Sequence, residues 1–145
     1  MDSELKITNQ WNEDEALYIR KKLVEFNRNN LSKNDITFND EKFSLVLKDK
    51  EECIFGGITG HLHFQCLHIE ILWVDEKLRG QGYGIELLKM AENLAKVKKC
   101  RLIKLDTFSF QAPDFYEKMG YEIYGKVEGY PEGYNQYLLL KRLKV

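Results

Sequence analysis

One stretch constrains this chain more than any other: LWVDEKLRGQGYGIELLKMAE, Leu72 to Glu92. An apolar run suited to a strand ends there, Gly80, Gly82 and Gly84 follow at alternate positions, and an amphipathic run begins. Without a Cβ, glycine permits positive φ and lets backbone N–H groups come close to a ligand. N–H groups just ahead of a helix, aided by its dipole, form an anion site. Arg79–Gly84 is therefore expected to cradle a phosphate, although a tight strand-to-helix turn would also use glycine for geometry alone. Two familiar phosphate motifs do not fit. G-x-x-x-x-G-K-[ST] is absent, and Gly80-x-Gly82-x-Gly84 is not G-x-G-x-x-G, even with Asp106 at a suggestive distance downstream.

The surrounding residues give the loop its setting. LKITN at Leu5–Asn9 reads as a short first strand, and NEDEALYIRKKLVEFNRNN as a helix opened by a capping box of Asn12 and Glu15. Ala16, Ile19, Leu23 and Phe26 recur at helical spacing along it. Residues Asn27–Glu41 are polar and irregular, with room for a second short helical piece. FSLVLKD, CIFGGITGHLHF and QCLHIEILWV then read as three successive antiparallel strands. Gly56, Gly57 and Gly60 imply bending, a bulge or close backbone approach in the second of these.

After the glycines the period changes from two to 3.6. Gly84, Leu87, Leu88, Ala91, Leu94 and Ala95 share one helical face, and Lys96, Lys98 and Lys99 sit where a helix end favours cations. LIKLDTF is a further strand, so strand, helix and strand imply a crossover between parallel strands. APDFYEKM reads as a short helix with Pro113 in its first turn and Gly120 at its end. YEIYGKV and NQYLLLKRL close the chain as paired strands. The expected fold is a mixed α/β sheet, mostly antiparallel with one parallel β-α-β crossover, in a single domain over residues 1–145.

Composition removes several alternatives. Twenty-two basic and 23 acidic residues leave a net charge of -1 and no charge block, so neither nucleic acid nor a membrane surface is an expected partner. The apolar runs are too short to span a bilayer, and MDSELKITNQ carries no signal region. Cys53, Cys66 and Cys100 are odd in number and lack C-x-x-C spacing, which fits reduced thiols in a cytoplasmic protein. His61, His63 and His68 alternate on neighbouring strands, but no Cys or carboxylate spacing supports a metal site, and none is expected.

RGQGYG resembles the acetyl-coenzyme A motif, R/Q-x-x-G-x-G/A, of the GNAT N-acetyltransferases. LWVDEKL is similar to that family's fourth strand and following loop, and FYEKMGYE to its later helix and strand. The order of elements agrees from Leu5 onward. The resemblance implies that backbone N–H groups of Arg79, Gly80, Gln81, Gly82, Tyr83 and Gly84 hold the coenzyme A pyrophosphate, with charge added by the Arg79 side chain. It implies that the edge of the fourth strand at Leu72, Trp73 and Val74 pairs with pantetheine amides, in a gap where fourth and fifth strands splay. Many relatives have Asn seven residues before the tyrosine. Here that position is Ser109, so either Gln111 takes its place or one pantetheine contact is missing.

The chemistry implied is direct acetyl transfer to a primary amine of a small molecule or peptide. An ordinary lysine-like amine has a pKa of ~10.4 and is almost wholly protonated near neutral pH, so a base is needed. Tyr116 matches the family's acid for the leaving thiolate, although it also suits packing of a short helix. Glu70 and His68 alternate on the fourth strand, on the face expected to carry Leu72 and Val74, and are candidate bases. Either could instead be structural. The Val74 N–H is the family-like donor to the thioester oxygen. Cys66 as an acyl-accepting nucleophile is the less economical reading beside a buried thiol. Tyr130, Glu132 and Tyr134 lie in VEGYPEGYNQY, either walling the acceptor pocket or only turning the last hairpin. A catalytically silent acyl-coenzyme A sensor would need neither Glu70 nor Tyr116. The acceptor's identity and any homodimer stay open.

Overall fold

The computed structural model describes residues 4–31 and 40–144. The chain divides into two compact units, Met1–Ile36 and Thr37–Val145. In the first, α1 spans Glu13–Asn30. The Asn12 side chain accepts a hydrogen bond from the Glu15 N–H at 3.0 Å, satisfying one orphan donor of the first turn as the sequence predicts. Glu13, Asp14 and Glu15 complement the positive end of the helix and Arg28 the negative end. Leu5–Asn9 do not form the expected strand. Five residues of alternating character stay extended only when a partner strand supplies a ladder, and among the described residues none pairs with them. Of the polar segment where a second helical piece was expected, residues 32–39 lie outside the described residues.

Among the described residues the second unit is a six-stranded mixed sheet with two α-helices and a 3₁₀ turn at Glu76–Leu78. Its strands are β1 (Glu41–Lys48), β2 (Ile54–His63), β3 (Cys66–Val74), β4 (Leu102–Phe108), β5 (Glu122–Glu128) and β6 (Asn135–Arg142). In space they run β1-β2-β3-β4-β6-β5. Only β3 and β4 are parallel, joined through α2 (Tyr83–Val97), while α3 (Pro113–Lys118) links β4 to β5. The expected fold class is therefore observed. The apolar face of α2 buries Leu87, Leu88, Ala91 and Ala95 against the sheet, and Ile58, Leu67, Leu88, Ile103 and Leu139 are wholly enclosed. Each such side chain contributes about 1.5–3 kcal/mol by leaving water.

The β2–β3 pair holds the irregularity that shapes the site. Thr59 pairs with Ile71 and Gly60 with Ile69, so Glu70 is an extra residue without a partner, a β-bulge. Gly60 is what permits it. A Cβ there would lie 1.9 Å from the His68 carbonyl oxygen and 2.8 Å from the Phe43 ring. The bulge reverses the alternation of β3. Leu67 and Ile69 face the core before it, and Leu72 and Val74 pack against the core after it. The sequence reading that put His68 and Glu70 on the face of Leu72 and Val74 is thus corrected: plain alternation holds only across an unbulged strand.

Beneath α3 lies a buried polar cluster that pattern reading passes over. Glu92 falls on the buried face of α2, where it accepts from the Tyr121 hydroxyl at 2.9 Å and from Lys141 Nζ at 3.0 Å. Lys141 also donates to the Met119 carbonyl at 3.0 Å, directly after α3. The pairing is what makes a buried carboxylate tolerable. Lys141→Ala is expected to lower the unfolding free energy by about 3 kcal/mol, because it strands that charge. The midpoint of urea denaturation reads the loss, and an unchanged midpoint would mean that Glu92 is solvated without Lys141.

Candidate active site

The glycine loop is built as a cradle. Gly80 has φ +79° and Gly82 +89°, and a Cβ at either would meet nothing within 4 Å. Gly82 caps α2 in left-handed conformation, with no side chain accepting from the first turn. The first helical bond is Glu86 N–H to the Gly82 carbonyl at 3.0 Å, which leaves the N–H groups of Tyr83, Gly84 and Ile85 without helical acceptors. The contrast with α1, capped by its own Asn12, is direct. Gly84 differs from its neighbours: a Cβ there would make ordinary contact with the Phe115 ring at 3.6 Å. Arg79 Nε donates to the Val74 carbonyl at 3.1 Å, which ties the guanidinium to the end of β3 and leaves its terminal nitrogens as donors. Gln81 is exposed in the same loop.

The strands beside the loop part. Pairing of β3 with β4 covers only Cys66–Leu102, Leu67–Ile103 and His68–Lys104, although β3 runs on to Val74 and β4 to Phe108. Beyond His68 the β4-facing edge of β3, including Leu72, Trp73 and Val74, is open. Two cavities use this gap. One, of about 400 Å³, is lined by Leu72, Val74, Arg79, Gly80, Gly82–Ile85, Phe115 and Tyr116. The other, of about 230 Å³, is lined by Glu70, Ile71, Asp106, Thr107, Phe108 and Gln111. Both include Leu72, Ala112 and Tyr116.

Tyr116 sits at that junction, 7% exposed, edge-on to Phe115 and Tyr121 at 5.2 and 5.9 Å between ring centres. Burial pushes its hydroxyl pKa up to about 12, so it stays a neutral proton donor well above neutral pH. Glu70, half exposed, places a carboxylate oxygen 2.7 Å from His61 Nδ1. His68 lies across from His61 with the rings stacked at 5.1 Å. Burial above all, then the His61 charge, lowers the His68 pKa, against the opposing pull of Asp106 and Glu70. His68 is thereby kept neutral and made a weaker base than an ordinary histidine.

The two candidate replacements for the family asparagine have separate tasks. Ser109 Oγ accepts from the Asn135 N–H at 3.1 Å and so holds the start of β6. Gln111 Oε1 accepts from Thr107 Oγ1 and the Phe108 N–H, at 3.2 and 2.9 Å, which leaves its amide nitrogen as the donor beside the cavity. Tyr130 and Tyr134 reach back to Phe108 and Phe110 in edge-on contacts at 5.6 and 5.1 Å. The hairpin tyrosines therefore join the aromatic end of β4 next to Glu70's cavity. Burial raises the Cys66 pKa, the reverse of what a nucleophilic thiol requires.

The three histidines do not converge, since His63 Nδ1 bonds to Asp40 instead. Asp49, Glu51 and Cys53 do approach one another in the β1–β2 turn, where the Asp49 carboxylate accepts the N–H groups of the other two. Sequence reading missed Asp106 and Ala112 as neighbours of the gap, and His61 as the partner of Glu70. Only strand register brings His61 to Glu70, and no local motif announces it.

A sheet opened between parallel strands, with an uncapped glycine loop on one side and a buried tyrosine and a glutamate at the opening, defines an acyl-coenzyme A transferase architecture. The family model described as "Acetyltransferase (GNAT) family" matches residues 6–121. The chain belongs to this family. It is 40% identical over 89 residues to blasticidin-S acetyltransferase of Streptomyces morookaense, covering 61% of this chain and 65% of that one. It is 29% identical over 124 residues to acetyltransferase Atu2258 of Agrobacterium fabrum, covering 86% and 88%. A crystal structure of an acetyltransferase from Bacillus cereus superposes with a TM-score of 0.87 at 47% identity, over 95% of this chain and 98% of that one. The chain thus spans just under two thirds of the blasticidin-S relative and nearly all of the Bacillus cereus protein.

Proposed function

We propose that the protein transfers the acetyl group of acetyl-coenzyme A to a primary amine of a small molecule or peptide, by direct attack with both substrates bound. The meeting of the two cavities at Leu72, Ala112 and Tyr116 carries this reading. The residues present fit the coenzyme: a phosphate approaching Gly80 and Gly82 meets no side chain, and unpaired N–H groups follow at once. When bound, it supplies an acetyl group activated as a thioester. Arg79–Gly84 hold the pyrophosphate, and the open edge of β3 pairs with the pantetheine amides, assisted by the Gln111 amide. The Val74 N–H donates to the carbonyl oxygen. Tyr116 Oη holds the proton needed by the departing sulfur.

On the other side Glu70 removes the proton from the attacking ammonium, directly or through water. Glu70 and Asp106 line that side with carboxylates, which favours a cationic acceptor. The relative named for blasticidin S supports a small-molecule acceptor.

Two measurements test the reading. Acetyl-coenzyme A at one hundred times its Kd should stabilise the native protein by about 2.7 kcal/mol, seen as a raised Tm. A scan of amines should release free coenzyme A with at least one of them. A thermal shift without release from any amine would favour the silent binding module instead. The base assignment has its own test in Glu70→Gln, which keeps size and hydrogen bonding but removes basicity. The loss in kcat/KM should shrink as pH rises, because more of the amine is already neutral. A loss confined to acceptor KM and unchanged by pH would make Glu70 an anchor for positive charge only.

A further inference from the structure

We infer that His61 is a positioning residue for Glu70, holding the carboxylate of the bulge residue at the strand gap. The inference rests on the proposed role of Glu70 in the transfer reaction. The bulge makes the contact possible. His61 and His68 are cross-strand partners on one sheet face, and the extra residue in β3 brings the Glu70 side chain back to His61, where Oε1 lies 2.7 Å from Nδ1. An ionised carboxylate only accepts hydrogen bonds, so Nδ1 must carry a proton and the neutral imidazole must be the Nδ1–H tautomer. The His68 ring, tilted by only 12° and stacked at 5.1 Å, fixes the plane in which that N–H points.

Glu70 needs such a partner. It is exposed, its backbone has no ladder partner, and its side chain would otherwise sample several rotamers. The bond engages Oε1 and leaves Oε2 for the ammonium proton. The other charged groups facing this pair are Lys42, opposite His61 on β1 and beside Glu70, and Lys104 and Asp106 on β4, which act on His68.

The test has a spectroscopic and a kinetic arm. Long-range ¹⁵N–¹H spectra of the native protein should show His61 protonated on Nδ1. The side-chain ¹³C carboxyl signal of Glu70 should move in His61→Phe, which keeps a ring for stacking but has no donor. His61→Asn, whose amide nitrogen occupies nearly the Nδ1 position, should restore it. With the amine turned over fastest in the scan, His61→Phe should lower kcat/KM about tenfold, with acetyl-coenzyme A affinity unchanged. In a Glu70→Gln background the same substitution should cost almost nothing further. His61→Gln, also without a donor at the Nδ1 position, serves if the Phe variant does not fold.

An Nε2–H tautomer at His61, or an unchanged Glu70 carboxyl signal in His61→Phe, overturns the inference. So does a full additional loss in the Glu70→Gln background. If Glu70→Gln itself leaves turnover intact while the Glu70 carboxyl signal moves in His61→Phe, the hydrogen bond stands. The base reading then falls, and with it the kinetic part of this inference.

Discussion

Gly82→Val is expected to weaken acetyl-coenzyme A binding by at least about 10²-fold while the sheet remains folded. Two effects add. The residue sits at φ +89°, where an L side chain costs roughly 1–2 kcal/mol, so the backbone turns away from the cradle geometry. Any Cβ that does form projects into the open space through which the phosphates must approach the N–H groups of Tyr83, Gly84 and Ile85. Arg79→Ala should cost less, about tenfold, since the backbone donors remain. Gly84→Ala is the internal control. Its Cβ would rest on the Phe115 ring at an ordinary 3.6 Å, and alanine suits a helix better than glycine, so its fold should be at least as stable. Calorimetric titration with acetyl-coenzyme A, beside thermal melts, separates these cases. A folded Gly82→Val protein with unchanged affinity would reject the phosphate-loop assignment.

Tyr116→Phe should lower kcat by about 10²-fold with little change in acetyl-coenzyme A affinity. The ring and its edge-on contacts with Phe115 and Tyr121 are kept, and only the proton donor is lost. The pH dependence follows from burial. A tyrosine in water ionises near ~10, whereas this hydroxyl is pushed up to about 12. Tyr116 acts as an acid and must be protonated to act. The wild-type rate should therefore show no alkaline fall at the ordinary tyrosine pKa, and any limb due to this group lies higher. Pre-steady-state measurement, where chemistry limits the rate, is the check. Wild-type turnover in Tyr116→Phe would remove the residue from the mechanism.

How much of this could be read from residues alone depends on how local each feature is. The glycine loop, the face of α2, the Asn12 cap and Pro113 at the start of α3 were legible because each is decided within a few residues. Tyr116 is marked by its family motif and lines both cavities, whereas Glu70 is marked by strand alternation, which the bulge interrupts. The bulge was half visible: three glycines in β2 announced close approach, but they could not say which residue of β3 became the extra one. For that reason His68 and Glu70 were assigned to the wrong side relative to Leu72 and Val74. A deletion of Glu70 would accordingly remove the bulge along with the carboxylate, and Ile71 would follow Ile69 in plain alternation with Leu72 and Val74 still facing the core. Long-range pairings left no local trace. Glu92 reads as an ordinary helix-surface glutamate until Tyr121 and Lys141 are brought to it from residues far along the chain.

The place of β6 has a consequence for how the protein comes to be folded. It is the last strand in chain order, yet it lies between β4 and β5 and pairs with every residue of β4 from Leu102 to Phe108. Until Asn135–Arg142 have been synthesised, one whole edge of β4 is unpaired and Leu139 is missing from the core. Such late, non-local closure is slow and leaves a strand edge open to other chains in the meantime. Glu70, the glycine loop and Tyr116 all emerge before it. Their geometry relative to one another is therefore established only when the strand that follows them inserts beside β4.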